Sequence, residues 1–216
     1  MDYAAARRNM VETQLRPNRV TNEALLDALA TVPRERFVPE ALRTIAYVDE
    51  DVPIAAGRYL MEPMVLGRLL QLAEVKRGDA VLDIGCGTGY TAAVLARLAG
   101  SAVAVESDQD LASRAVTILA DLGVANVTVL EGELGQGAAR QAPYDVIFIE
   151  GSVDAVPPSI VEQLADRGRL VAVVRHQGVG RATLMVRVGG GVSSRVVFDA
   201  AVPPLPGFEA QPSFVF

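Results

Sequence analysis

From about residue 80 the chain alternates short runs that are apolar throughout with longer stretches whose apolar residues recur at helical spacing. The runs are AVLDI (80–84), AVAVE (102–106), VTVL (127–130), YDVIFIE (144–150) and RLVAVV (169–174). Unbroken apolarity, in place of alternation, marks strands covered on both faces, and parallel strands flanked by crossover helices are buried in this way. TAAVLARLA and DQDLASRAVTILADLG lie between them, with Gly100 and Gly123 where helix C-caps belong. The pattern predicts a doubly wound α/β fold with a mostly parallel sheet. Further on, RATLMVRV and VSSRVVFDA flank Gly189-Gly190-Gly191 and predict a C-terminal β-hairpin closing that sheet. Residues 1–75 read differently, with helices over 3–15, 21–31 and 63–74 interrupted by Pro17, Pro33, Pro39 and Pro53. They form a helical N-terminal extension carrying a loop, packed on a core of residues 76–216 within one structural domain.

Composition narrows the chemistry. Cys86 is the only cysteine and His176 the only histidine, so neither an internal disulfide nor a Cys/His zinc site can be built, and a reducing cytoplasm is the expected setting. No metal is expected. A net charge of −6 with scattered arginines argues against a nucleic-acid partner. Without a long uncharged apolar stretch, neither membrane insertion nor export is expected. The acidic run Asp49-Glu50-Asp51 and the loop holding His176 read as solvated.

The strongest local signal is Val81-Leu82-Asp83-Ile84-Gly85-Cys86-Gly87-Thr88-Gly89-Tyr90, a buried strand entering a glycine-rich turn that opens a helix. Glycines tolerate positive φ and carry no Cβ, so a ligand can approach the backbone, and the helix start offers free N–H groups. Glu106 ends the next strand, where a carboxylate can accept both hydroxyl hydrogens of a ribose. A dinucleotide fingerprint G-x-G-x-x-G starting at Gly85 needs Gly or Ala where Tyr90 stands. The observed D-x-G-x-G-x-G resembles instead the S-adenosylmethionine site of class I, Rossmann-like methyltransferases.

That resemblance implies a cofactor pocket of Asp83, Gly85, Cys86, Gly87, Gly89, Tyr90, Glu106, Ser107, Glu133 and Leu134, with Asp83 beneath the amino acid end of S-adenosyl-L-methionine. Glu133, in Glu131-Gly132-Glu133-Leu134, is the choice for the adenine amino group, against a solvated loop carboxylate. S-adenosyl-L-homocysteine would be the product. Cys86 reads as small filler, and Glu150, ending the fourth strand, either faces the reacting centre or is an exposed strand-end charge.

Across nearly the whole chain the sequence resembles the protein-L-isoaspartate O-methyltransferases. The resemblance rests on the run MVETQLRPNRVTNEALLDALATVPRERFVPE, on the glycine turn, on Tyr144-Asp145 and on Pro203-Pro204-Leu205. It implies methylation of isoaspartyl carboxylates in damaged peptides. The family's substrate loop reads like G-Q-T-I-S-x-P, whereas this chain has Gly57-Arg58-Tyr59-Leu60-Met61-Glu62-Pro63. Tyr59 and Met61 replace the threonine and serine, and Met61 makes no comparable hydrogen bond. Arg58, Tyr59, Leu60, Met61 and Glu150 are therefore the candidate acceptor-side residues, and no catalytic residue is assigned. The acceptor is an isoaspartyl peptide, another protein, or a small molecule. A cofactor-binding protein lacking isoaspartyl activity is the alternative. The oligomeric state is left open.

Overall fold

The apolar runs pair as their patterning requires. In the computed structural model, which describes residues 1–208, the chain enters through helices α1 (Tyr3–Met10) and α2 (Glu23–Thr31). A short hairpin of strands β1 (Val52–Ala55) and β2 (Arg58–Leu60) follows, and then helix α3 (Pro63–Ala73). The core runs β3 (Ala80–Ile84), α4 (Tyr90–Leu98), β4 (Ser101–Glu106), α5 (Gln109–Asp121), β5 (Val127–Glu131), β6 (Tyr144–Val153), α6 (Pro158–Val161), β7 (Leu164–His176), β8 (Val179–Val188) and β9 (Gly191–Asp199). These strands form one seven-stranded sheet in the order β5-β4-β3-β6-β7-β8-β9. The first five in that order are mutually parallel, and β7, β8 and β9 pair antiparallel.

This order reverses direction between β3 and β6. In an open α/β sheet, a ligand crevice forms outside the carboxyl ends of the strands at such a switch point. One hydrophobic cluster joins Met10, Leu15, Leu29 and Leu66 of the N-terminal helices to Val81, Phe148 and Val171 of the sheet. A second, on the other face, joins Ile84, Ile147 and Leu170 to Leu205 and Phe208. The inner strands β3, β4 and β6 are thus covered on both faces, which is why the sequence shows no alternation along them, whereas β5 is half-exposed and β9 lies open to solvent.

Several details depart from the sequence reading. The hairpin β1–β2 replaces a loop. Strands β6 and β7 are longer than their apolar runs: Ser152 and Val153 resume the pairing past one shift in register, and Leu164 pairs with Tyr144 ahead of a second shift across which 165–168 have no partner in β6. The Asp49-Glu50-Asp51 run is not simply solvated: Asp49 accepts from the Met64 N–H and Asp51 from the Glu62 N–H, both at 2.9 Å, satisfying free donors at the start of α3. Gly123 has a φ of 68° where α5 ends, whereas Gly100 is not left-handed and instead donates to the Asp79 carbonyl. No helix among the described residues is long and apolar enough to cross a membrane.

Candidate functional site

The glycine turn leaves β3 at the switch point with Gly85, Gly87 and Gly89 at φ of 81°, 55° and 91°. Other residues rarely adopt this backbone, so the turn dictates its glycines. Glu106, fully buried at the end of β4, fixes the turn by accepting from the Gly87 N–H at 2.7 Å. Its other oxygen accepts from the backbone N–H groups of Ser107 (2.8 Å) and Asp108 (3.0 Å). Ser107, Glu133 and Leu134 line one cleft of about 430 Å³ beyond Glu106, with Gly135, Pro157 and Pro206.

Asp83, at the foot of the turn, is also fully buried, and neither of its oxygens has a donor. Glu150 at the carboxyl side of β6 faces it. One Glu150 oxygen accepts from the Thr91 hydroxyl at 2.8 Å, and the other is shut off from water with no donor. Burial pushes both carboxyls up, and their mutual repulsion raises Asp83 further, partly offset for Glu150 by its hydrogen bonds. Glu150 therefore faces inward, and the exposed-charge reading is wrong. Cys86 is buried filler; burial pushes its thiol up and leaves it no nucleophile. His176 is exposed at the end of β7.

Hairpin β1–β2 roofs the turn. Alternation along β2 turns Arg58 and Leu60 inward and leaves Tyr59 43% exposed. Arg58 forms a bidentate ion pair with Glu106, with Nη2 2.8 Å from Oε2, and donates to the Gly85 carbonyl at 2.9 Å. Ile54 lies over Gly87 and Leu205 over Gly85, each so close that a Cβ on the glycine would collide with it. Met61 is buried, and its carbonyl accepts from Nη2 of Arg34 at 2.7 Å. Arg34 is fully buried, donates also to the Ala46 carbonyl at 2.6 Å, and lies 5.0 Å from the Tyr90 ring centroid. Tyr90 is thus a packing residue that supports the helix behind the turn. Arg58, Tyr59, Met61 and Glu150 line a narrow neck with about 10 Å³ of free space. Beyond it opens a cleft of about 790 Å³ flanked by Asp51, Arg175, Val179 and Pro203.

Sequence reasoning missed Thr91, Arg34 and the roof residues Ile54 and Leu205, and it placed Arg58 on the acceptor side alone. No cluster of potential metal ligands occurs among the described residues.

Residues 6–203 match the family model described as Protein-L-isoaspartate(D-aspartate) O-methyltransferase (PCMT). A protein-L-isoaspartate O-methyltransferase of Koribacter versatilis is 38% identical over 197 residues, 91% of this chain and 88% of its own length. The chain belongs to the protein-L-isoaspartate O-methyltransferase family. A relative of the same name from Gloeobacter violaceus is 37% identical, covering 91% of this chain and 96% of its own. A solved protein-L-isoaspartate O-methyltransferase shares the fold with a TM-score of 0.82 at 24% identity, over 94% of this chain and 67% of that one. A protein from Plasmodium falciparum, solved in complex with S-adenosyl-L-homocysteine, does so at 0.80 and 19% identity, over 93% and 98%. The chain is therefore an S-adenosylmethionine-dependent methyltransferase of this family.

The residues present fit that cofactor. Asp83 offers two buried acceptor oxygens without a donor, the turn is bare of Cβ atoms, and Glu106 stands where a diol can be held.

Proposed function

We propose that this protein methylates the side-chain carboxylate of isoaspartyl residues in peptides, at a rate held down by its own loop. The reading rests on one observation above the others: the glycine turn, Asp83, Glu106 and Glu150 converge on a crevice that adjoins an open cleft of about 790 Å³.

S-adenosylmethionine supplies, when bound, a sulfonium methyl whose carbon a nucleophile attacks in line as the carbon–sulfur bond breaks and S-adenosyl-L-homocysteine leaves. Glu106 would accept from the ribose hydroxyls, and Asp83 from the ammonium. Ser107, Glu133 and Leu134 would border the adenine. An acceptor carboxylate with an ordinary pKa of about 4 is already ionised at neutral pH, so no general base is needed. The protein's work is to position the acceptor oxygen and to keep water out. Arg34 holds the main chain of Met61 rigidly at the neck, but the Met61 side chain brings no hydroxyl to the acceptor. Glu150 would repel an anionic acceptor when ionised; protonated against Asp83, it does not.

Radiolabelled methyl transfer to an isoaspartyl peptide, with the matching aspartyl peptide as control, tests the proposal. Slow, isoaspartyl-selective transfer is expected. Equal labelling of both peptides, or of neither while the cofactor binds, sinks it.

A further inference from the structure

Glu106 has no capacity left for a ribose in the structure described. Its Oε1 accepts from Arg58, Ser107 N–H and Asp108 N–H, and its Oε2 from Arg58 and Gly87 N–H. A carboxylate offers about four lone-pair sites, and these five donors use all of them. Two donors come from one guanidinium, whose paired N–H groups present the same spacing of hydrogens as a vicinal diol would. The same hairpin lowers Ile54 onto Gly87, a would-be Cβ there lying 2.6 Å from Ile54 Cδ1, so the cradle that a ligand backbone contact needs is covered from the same side.

We infer that Arg58 is a built-in competitor of the cofactor: it occupies the ribose position of Glu106 and must leave, with the hairpin tip, before a nucleoside can bind. This rests on the cofactor reading of Glu106 given above. The hairpin is built to move at its tip and to stay fixed at its base. Its ends are tied down through the Asp51 contact to the Glu62 N–H and the Arg34 contact to the Met61 carbonyl. The tip, Ala56-Gly57, is exposed, with Gly57 left-handed at a φ of 68° and nothing packed where its Cβ would be. What holds the tip down is the Arg58 ion pair, the Gly85 carbonyl contact, Ile54 and a long 3.4 Å bond from Arg114 to the Ile54 carbonyl. Charge supplies the reason for a cation here. Asp83, Glu106 and Glu150 crowd one buried site, and Arg58 is the cation that pairs with it, so the guanidinium neutralises in the empty state what a sulfonium and an ammonium neutralise in the filled one.

The test is S-adenosyl-L-homocysteine binding to the full chain and to Arg58→Gln, by calorimetry and by stopped-flow fluorescence. Arg58→Gln should bind tenfold or more tightly than the unmodified protein. The observed association rate of the unmodified protein should level off with rising ligand, because opening precedes binding, and that of Arg58→Gln should stay linear. Equal or weaker binding by Arg58→Gln overturns the competitor role alone, whereas no binding by either protein overturns the cofactor reading as well. Should Arg58→Gln not fold, Ile54→Ala, which loosens the same tip without touching Glu106, carries the same expectations.

Discussion

Arg34, from the amino-terminal third of the chain, donates a 2.7 Å hydrogen bond to the main-chain carbonyl of Met61, and so holds the end of hairpin β1–β2 by its backbone. The side chain at 61 can change without releasing that backbone.

Loss of the Arg34 guanidinium should be expensive. Arg34→Met leaves the carbonyls of Ala46 and Met61 buried without donors and removes the cation from the Tyr90 face. Hydrogen bonds to a charged group are worth roughly 1.5–3 kcal/mol each, so a destabilisation of about 3 kcal/mol or more is expected by urea denaturation. A change below about 1 kcal/mol would show that relief of the buried charge balances the lost bonds.

Restoring the family hydroxyl should raise activity at some cost in stability. Met61 is buried and lines the neck, so Met61→Ser opens a cavity, costing about 2–5 kcal/mol, and offers the acceptor a donor. Isoaspartyl transfer should rise about tenfold, equivalent to about 1.4 kcal/mol of barrier. The gain should grow further in Met61→Ser with Glu150→Thr. Flat kcat/KM in both variants would place the acceptor elsewhere.

Titration of the Asp83–Glu150 pair should make the empty protein less stable in alkali. Both folded-state pKa values lie above the unfolded ones, so the folded state binds the extra proton. That stability is fully present below the ordinary carboxylate pKa and is lost as pH rises through the raised folded values. Glu150→Gln should flatten the fall in melting temperature as pH rises from the ordinary carboxylate range through about 7, the raised value of Glu150, and with it any fall in transfer rate. A slope identical to that of the unmodified protein would remove the pair from the explanation.

Glu106→Ala should weaken S-adenosyl-L-homocysteine binding, but by less than the diol contacts alone would cost, because it also dismisses Arg58. Removing hydrogen bonds to this carboxylate costs roughly 1.5–3 kcal/mol. In an Arg58→Gln background the full loss should be visible by calorimetry, and the difference between the two backgrounds measures the coupling. Equal losses in both would mean that Arg58 and the ligand do not share Glu106.

The central sheet was legible because strands buried on both faces write themselves as unbroken apolar runs, and the glycine turn because its backbone admits little else. Hairpin β1–β2 was not, since strands of three and four residues with a proline read as loop, although the inward parity of Val52, Ile54, Arg58 and Leu60 was present in retrospect. Glu150 could have gone either way from sequence alone. Its direction is set by Thr91 and Asp83, each far from it along the chain. The pairing of Arg58 with Glu106 joins residues 48 apart, and no local pattern announces it.

Leu205 lies against Gly85 and Gly151, pinned by a backbone bond from its own N–H to the Ser152 carbonyl, while the Ser152 N–H donates to Pro203. The turn is synthesised well before its cover. A ribosome-bound chain therefore has the glycine turn, Asp83 and Glu106 long before it has the wall that encloses them, and the crevice closes only once β8 and β9 have been made and the segment beyond them has folded back across the sheet.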